Sequence, residues 1–266
     1  MTNVILTNIF KKIRPMPMSP LPKQNILPPI ISNENNNNSY NTKPKKILTE
    51  DLGHEFEMAI CNLYNIDYDG NFKYSEGTAS SLANRISKLK NVFPHKLRHT
   101  AKNGNKYDFE TVGDNPLYLS AKTTKKDGKV CPQVIGQTTK NKFCEFFELE
   151  NNTTLAEIKE FIENNPAYLL NKYIENTFCC PTVYYNQKKD LAMFITLKQD
   201  INWCNNEISF THKLKNKAWN ESSTIKIGTT SIGEFQIHNN RNCIKFRWAF
   251  EKLLKKYSDN FDIIKL

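Results

Sequence analysis

The chain has 266 residues, 39% of them hydrophobic and 11% aromatic, enough for one sizeable packed domain or two small ones. With 37 Lys and Arg against 27 Asp and Glu it carries +10 at neutral pH, which suits a polyanionic partner, nucleic acid or an acidic membrane surface. It has no apolar run of the length a membrane span needs, and its seven cysteines without a C-x-x-C spacing speak against a zinc site or disulfide framework and fit a reducing, intracellular (cytoplasmic) compartment.

In chain order, residues 1–47 stand apart. Seven of the twelve prolines and the run Asn35 to Asn38 lie there, with six lysines and one arginine against Glu34 alone. That composition predicts a disordered basic tail adding weak phosphate affinity. Its first 14 residues are apolar and basic without acids, a pattern compatible with an amphipathic helix or an N-terminal targeting sequence, although a single arginine and little serine count against targeting.

Order is expected from Thr49. Leu52, Phe56, Ala59, Ile60 and Leu63 follow helical spacing, and a second helix is read over 79–90. Asn105 to Val112 and Leu117 to Thr123 flank the turn Gly113-Asp114-Asn115-Pro116 and predict a hairpin. A helix is read over 132–148, and another to Asn164 opened by a capping box at Thr154 and Glu157. A hairpin at 181–185 and 191–197, strands at 207–212, 223–228 and 232–238, and a last helix over 246–257 complete the reading. The expected fold is α/β (α+β), a central mixed sheet flanked by helices. Residues 48–266 form the folded part, divided into a core over 48–150 and a second part over 151–266.

The hairpin carries the chemistry. Asp108 and Glu110 share one strand face, and Ser120 and Lys122 share a face of the next strand. Carboxylates facing a lysine suit metal-assisted phosphodiester hydrolysis, with the acids holding Mg²⁺ and the lysine orienting or deprotonating water. The arrangement resembles the PD-(D/E)XK nucleases, the fold of many type II restriction endonucleases. Asp108 matches the first acid of their pattern and Lys122 the lysine. Ser120 stands where the second acid usually stands, and Glu110, on the face of Asp108, is the residue that would fill that role. Such nucleases often carry a glutamate on the helix before the hairpin; Glu57 is the first choice here and Glu55 the alternative. The resemblance covers about residues 49 to 140.

Several segments suit DNA. The loop after Lys122 carries Lys125 and Lys126, and Gln133 and Gln137, four apart, share one face of the expected helix. Glu234, Gln236 and His238 alternate with Phe235 and Ile237, a half-buried strand whose polar face suits base-edge readout, continued by Asn239, Arg241, Lys245 and Arg247. Glu234-x-Gln236 is also a rival placement of the nuclease motif, with Glu221 upstream, but it lacks the lysine.

The resemblance implies a Mg²⁺-dependent endonuclease cleaving double-stranded DNA, a type II restriction enzyme that directs metal-activated water at the phosphodiester. It further implies a homodimer if the recognised site is a palindrome, and a cognate DNA methyltransferase in the same system. The alternative is a non-catalytic DNA- or RNA-binding protein on a degenerate nuclease fold, for which Ser120 in the acid position is the best support.

Overall fold

A computed structural model describes residues 49–70, 75–101, 105–126, 128–204 and 207–266. The expected tail over 1–47 lies outside these residues. The helices are α1 (Thr49–Tyr64), α2 (Glu76–Arg85), α3 (Leu89–Val92), α4 (Lys140–Phe146), α5 (Leu155–Asn164), α6 (Pro166–Thr177), α7 (Thr211–Leu214) and α8 (Phe250–Lys256). The first six strands are β1 (Leu97–His99), β2 (Phe109–Thr111), β3 (Tyr118–Thr124), β4 (Lys129–Val130), β5 (Gln137–Thr138) and β6 (Thr182–Asn186). They are followed by β7 (Leu191–Leu197), β8 (Ile208–Phe210), β9 (Ser222–Ile227), β10 (Thr230–Ile237), β11 (Ile244–Ala249) and β12 (Phe261–Lys265).

The strands build two sheets, one more than the single central sheet expected. The first has the order β1-β2-β3-β6-β7-β12 and is mixed, because β3 and β6 run parallel while the other neighbours are antiparallel. The second runs β4-β11-β10-β9-β8, with β5 also on β11, and is antiparallel throughout. The sheets interleave along the chain, since β4 and β5 lie in sequence between the strands of the first sheet.

Side-chain alternation sends the two faces of the first sheet into different cores. Leu119, Val183, Tyr185, Ala192 and Phe194 face the helical layer of α1, α2 and α3, where Leu52, Phe56, Ala59 and Ile60 are buried. Phe56 stacks on Tyr185 at 5.7 Å between centroids. Tyr184, Met193 and Ile195 face the other way, into the larger cluster shared with the second sheet, α5, α6 and α8. There Tyr173 stacks on Phe246 at 4.1 Å, and the Trp248 indole donates to Thr177 Oγ1 at 2.8 Å.

Local chemistry accounts for most boundaries. Both halves of the capping box form at Thr154 and Glu157, which is worth about 1 kcal/mol. The helix read over 79–90 is interrupted: Ile86 leaves helical geometry at φ −104° and buries its side chain, and α3 restarts at Leu89. The helix read over 132–148 begins only at Lys140, where the Thr139 hydroxyl accepts from the Lys142 amide. Upstream, 129–138 is a return along β11, with Val130 opposite Trp248, Thr138 opposite Ile244, and the Phe246 amide donating to the Gly136 carbonyl. Gln133 and Gln137 therefore do not share a helical face. The helix read over 246–257 shrinks to α8, because Phe246, Trp248 and Phe250 also satisfy strand alternation and pairing with β10 decides for β11.

Candidate active site

Asp108 lies one residue before β2, and the register of Phe109 against Leu119 sets it opposite Ser120. Its Oδ2 accepts from the Ser120 hydroxyl and from the Ala121 amide, both at 2.7 Å, and has the Lys122 ammonium at 3.9 Å. One carboxylate oxygen is thereby saturated, while Oδ1 has no hydrogen-bond partner among the described residues. The side chains of Asp108 and Lys122 are 17% and 20% exposed, sheltered but reachable.

Behind Ser120 stands Gln133, whose amide nitrogen donates to the Ser120 oxygen. Gln133 is buried, and its amide oxygen has no partner among the described residues. A helical spacing of 133 and 137 gave no sign of this contact. The signal available in the sequence was Pro132 and Gly136 bracketing a turn rather than a helix start.

Glu110 lies on the face of Asp108 but its carboxylate is ion-paired with Arg98 across β1 and β2. The Arg98 side chain is 66% exposed, so the pair is a surface one and holds Glu110 weakly. Glu57 lies across the sheet: it approaches His99 Nε2 at 3.4 Å and His54 Nδ1 at 3.8 Å, and His99 is the register partner of Phe109 on the side that α1 covers. Glu55, in the second turn of α1, is buried and its Oε2 has no partner among the described residues; burial and then Asp51 raise its pKa, while Lys125 opposes them. The structure thus brings Asp108, Ser120 and Lys122 together and leaves Glu110 and Glu57 on other partners. Among the described residues no three His, Cys, Asp or Glu side chains are placed to hold a metal ion.

Two cysteines not singled out as functional adjoin the site. Cys180 is buried and Cys179 half-buried. The Cys179 thiol donates to the Asn176 carbonyl at 3.7 Å, and its pKa is pulled down, first by the neighbouring Cys180 thiol and then, against burial, by Lys106 and Lys122. The Cys180 thiol is pushed up by the neighbouring Cys179, by burial and by the charge of Asp108.

The second sheet presents a polar face. Glu234 pairs in register with Arg247 and Gln236 with Lys245, and Gln137 stands opposite Lys245. Glu234 accepts from Lys129 at 2.5 Å and from Gln236 at 3.0 Å and has Arg247 at 3.5 Å. Burial raises its pKa, but Lys129, Gln236 and Arg247 outweigh that and hold it below the usual carboxylate range. The rival motif Glu234-x-Gln236 is therefore knitted into a basic cluster, and Glu221 is taken up by His238 at 3.2 Å. Asn239, Arg241 and Lys126 are exposed, and Lys125 half-buried. Burial raises the Cys131 thiol pKa, while Lys245, Arg247 and Lys122 all lower it. The polar face and the Asp108 site adjoin each other, because β4 lies against β3 and pairs with β11.

The carboxylate braced by a serine, an amide and a lysine is bordered by a basic sheet face. The chain is similar to a restriction enzyme. It is 44% identical over 218 residues to the type II restriction enzyme CviAII of Paramecium bursaria Chlorella virus 1, an alignment covering 82% of this chain. The chain spans 63% of that relative, just under two thirds of its length. No protein-family profile and no solved structure matches the chain.

No helix among the described residues is long and apolar enough to cross a membrane.

Proposed function

We propose that the chain is a site-specific endodeoxyribonuclease of the type II restriction class that hydrolyses a phosphodiester of double-stranded DNA with Mg²⁺. The observation that carries this reading is the bracing of Asp108. Oδ2 is fixed by Ser120, the Ala121 amide and Lys122, and the other oxygen is left for a ligand. Similarity to a restriction enzyme over 82% of the chain supports it.

The residues fit a hard divalent cation. Mg²⁺ needs one or two protein carboxylates and takes the rest of its shell from water and phosphate oxygens. Asp108 offers the carboxylate, and Gln133, whose amide nitrogen reaches the same Ser120 oxygen, carries a buried hard donor oxygen with no partner among the described residues. Glu110 is the second carboxylate on that face, reachable by giving up an exposed arginine. Glu57 would support the site only from across the sheet. Bound there, Mg²⁺ supplies positive charge that acidifies water and offsets charge building on the phosphate.

The protein's own part is orientation and charge. Ser120 and the Ala121 amide lock the Asp108 carboxylate, so no reorganisation is needed when DNA arrives. Lys122 keeps an ammonium beside Asp108, where it orients the attacking water and balances the phosphate oxygens. Water adds to phosphorus as the bridging P–O bond breaks, without a covalent enzyme intermediate.

In this reading residues 48–150 provide the catalytic hairpin and 151–266 most of the DNA-reading surface. Lys125, Lys126, Lys245 and Arg247 hold phosphate. Gln236, Gln137, His238, Asn239 and Arg241 stand where base edges pass. A two-fold dimer follows if the site is a palindrome, and a cognate methyltransferase would protect the host DNA.

The test is plasmid cleavage in Mg²⁺ by the wild type and by Lys122→Ala. The expected result is cutting at defined positions by the wild type and a loss of about 10²-fold or more in the variant, with DNA binding retained. Ser120 in the acid position favours one competing reading, a protein that only binds nucleic acid. Wild-type protein that leaves plasmid intact, with binding unchanged by the substitution, would establish that reading instead.

A further inference from the structure

Gln133 is held in place by a strained piece of backbone. Val134 has φ +61°, a left-handed value that a β-branched residue rarely adopts, and its side chain is 62% exposed. The Ile135 amide closes back on the Gln133 carbonyl at 2.5 Å, a three-residue turn of the γ type. Gly136 completes it, for a Cβ there would lie 2.4 Å from the Pro132 carbonyl oxygen and 2.8 Å from Cys131 Cβ. Both ends are tied to β11, through Val130 on Trp248 and Thr138 on Ile244. An apolar valine is turned out to solvent while a glutamine is turned in. That inverts the usual burial preference and marks a conformation kept for the sake of Gln133.

The hydrogen-bond accounting fixes which way the amide points. The Ser120 hydroxyl has one proton and gives it to Asp108. Its oxygen can then only accept, so the Gln133 NH₂ faces Ser120, and the carbonyl oxygen is the atom left buried and without a partner among the described residues. A buried acceptor left open in a native structure calls for a ligand or a water.

Resting on the nuclease reading above, we infer that Gln133 is a member of the divalent-cation site. Its nitrogen steadies Ser120, and through it Asp108, while its oxygen is a neutral ligand replacing the acid that position 120 lacks. Three elements thus contribute: Asp108 at the head of β2, Ser120 in β3, and Gln133 from the turn between β4 and β5.

The experiment measures Mn²⁺ binding by electron paramagnetic resonance in the full chain, free of DNA, alongside Mg²⁺-dependent plasmid cleavage. Gln133→Ala is expected to weaken Mn²⁺ binding by about tenfold or more and to raise the Mg²⁺ concentration for half-maximal cleavage in step. Gln133→Met keeps the size of the side chain and removes the amide oxygen, so it should weaken Mn²⁺ binding as Gln133→Ala does. Should Gln133→Ala fail to fold, Gln133→Met decides alone. Wild-type Mn²⁺ affinity in each folded variant would overturn the inference even if the wild type cuts DNA. Loss of Mn²⁺ binding in a protein that cuts no DNA would instead uphold Gln133 and reject the nuclease reading.

Discussion

Ser120 donates its hydroxyl proton to Asp108 at 2.7 Å and at the same time accepts from Gln133, so the residue occupying an acid's position is a bridge between two polar side chains. A bridge and a ligand differ in what their removal does. Ser120→Ala takes away one hydrogen bond to a carboxylate still held by the Ala121 amide and Lys122. Its expected cost is about 1.5–3 kcal/mol in cleavage, roughly 10- to 100-fold in kcat, against complete loss for Asp108→Asn. Equal losses in the two variants, measured as single-turnover cleavage rates, would show that Ser120 does more than orient Asp108.

Glu110 poses a separate question, because its only described partner is an exposed arginine on the edge strand. If it serves as the second carboxylate, Arg98→Ala should leave cleavage within about threefold of wild type, since a surface pair contributes little. Glu110→Gln should then raise the Mg²⁺ requirement by about tenfold or more. A Mg²⁺ titration unchanged in Glu110→Gln would leave Asp108 as the only carboxylate of the site.

The paired thiols near Lys122 give a chemical readout of the same place. The Cys179 thiol is lowered from its ordinary value, so it should react with iodoacetamide faster than an ordinary cysteine. Its alkylation rate should reach its half-maximum below the ordinary thiol value, and Cys179→Ser should remove that fast phase. A half-maximum at the ordinary thiol value, found by quenching aliquots across pH, would show that the field around Cys179 is not as described.

Much of this architecture was legible in the residues, and what was not has identifiable causes. Strand alternation alone put Asp108 and Lys122 on facing strands, because the hairpin turn at 113–116 is short and fixes the register. The box at Thr154 and Glu157 announced α5, since both its hydrogen bonds are local. Phe246 to Tyr257 misled because its spacing satisfies both periods, and only pairing with β10, distant in space from any local signal, selects the strand. Gln133 misled for a different reason. Its role is set by a left-handed φ at Val134, a residue type that gives no hint of such a conformation. The second sheet was not separated from the first although its strands β8 to β10 were read, because nothing local tells which sheet a strand joins, and its strands β4 and β5 are too short to show any periodicity.

The polar face of the second sheet gives an acid-stability prediction whose sign can be worked out. Lys129, Gln236 and Arg247 hold the Glu234 pKa below its ordinary 4.5 in spite of burial. A carboxylate depressed on folding contributes stability that is fully present above the unfolded value near 4.5 and is lost as pH falls through the lower folded value. Glu234→Gln should therefore be less stable than wild type by about 1 kcal/mol at pH 7, with the gap constant down to about pH 5 and closing below 4.5. Paired urea denaturations across that range measure it directly. A gap that stayed constant below pH 4 would mean that lost packing, and not the ion pairs to Lys129 and Arg247, accounts for the difference.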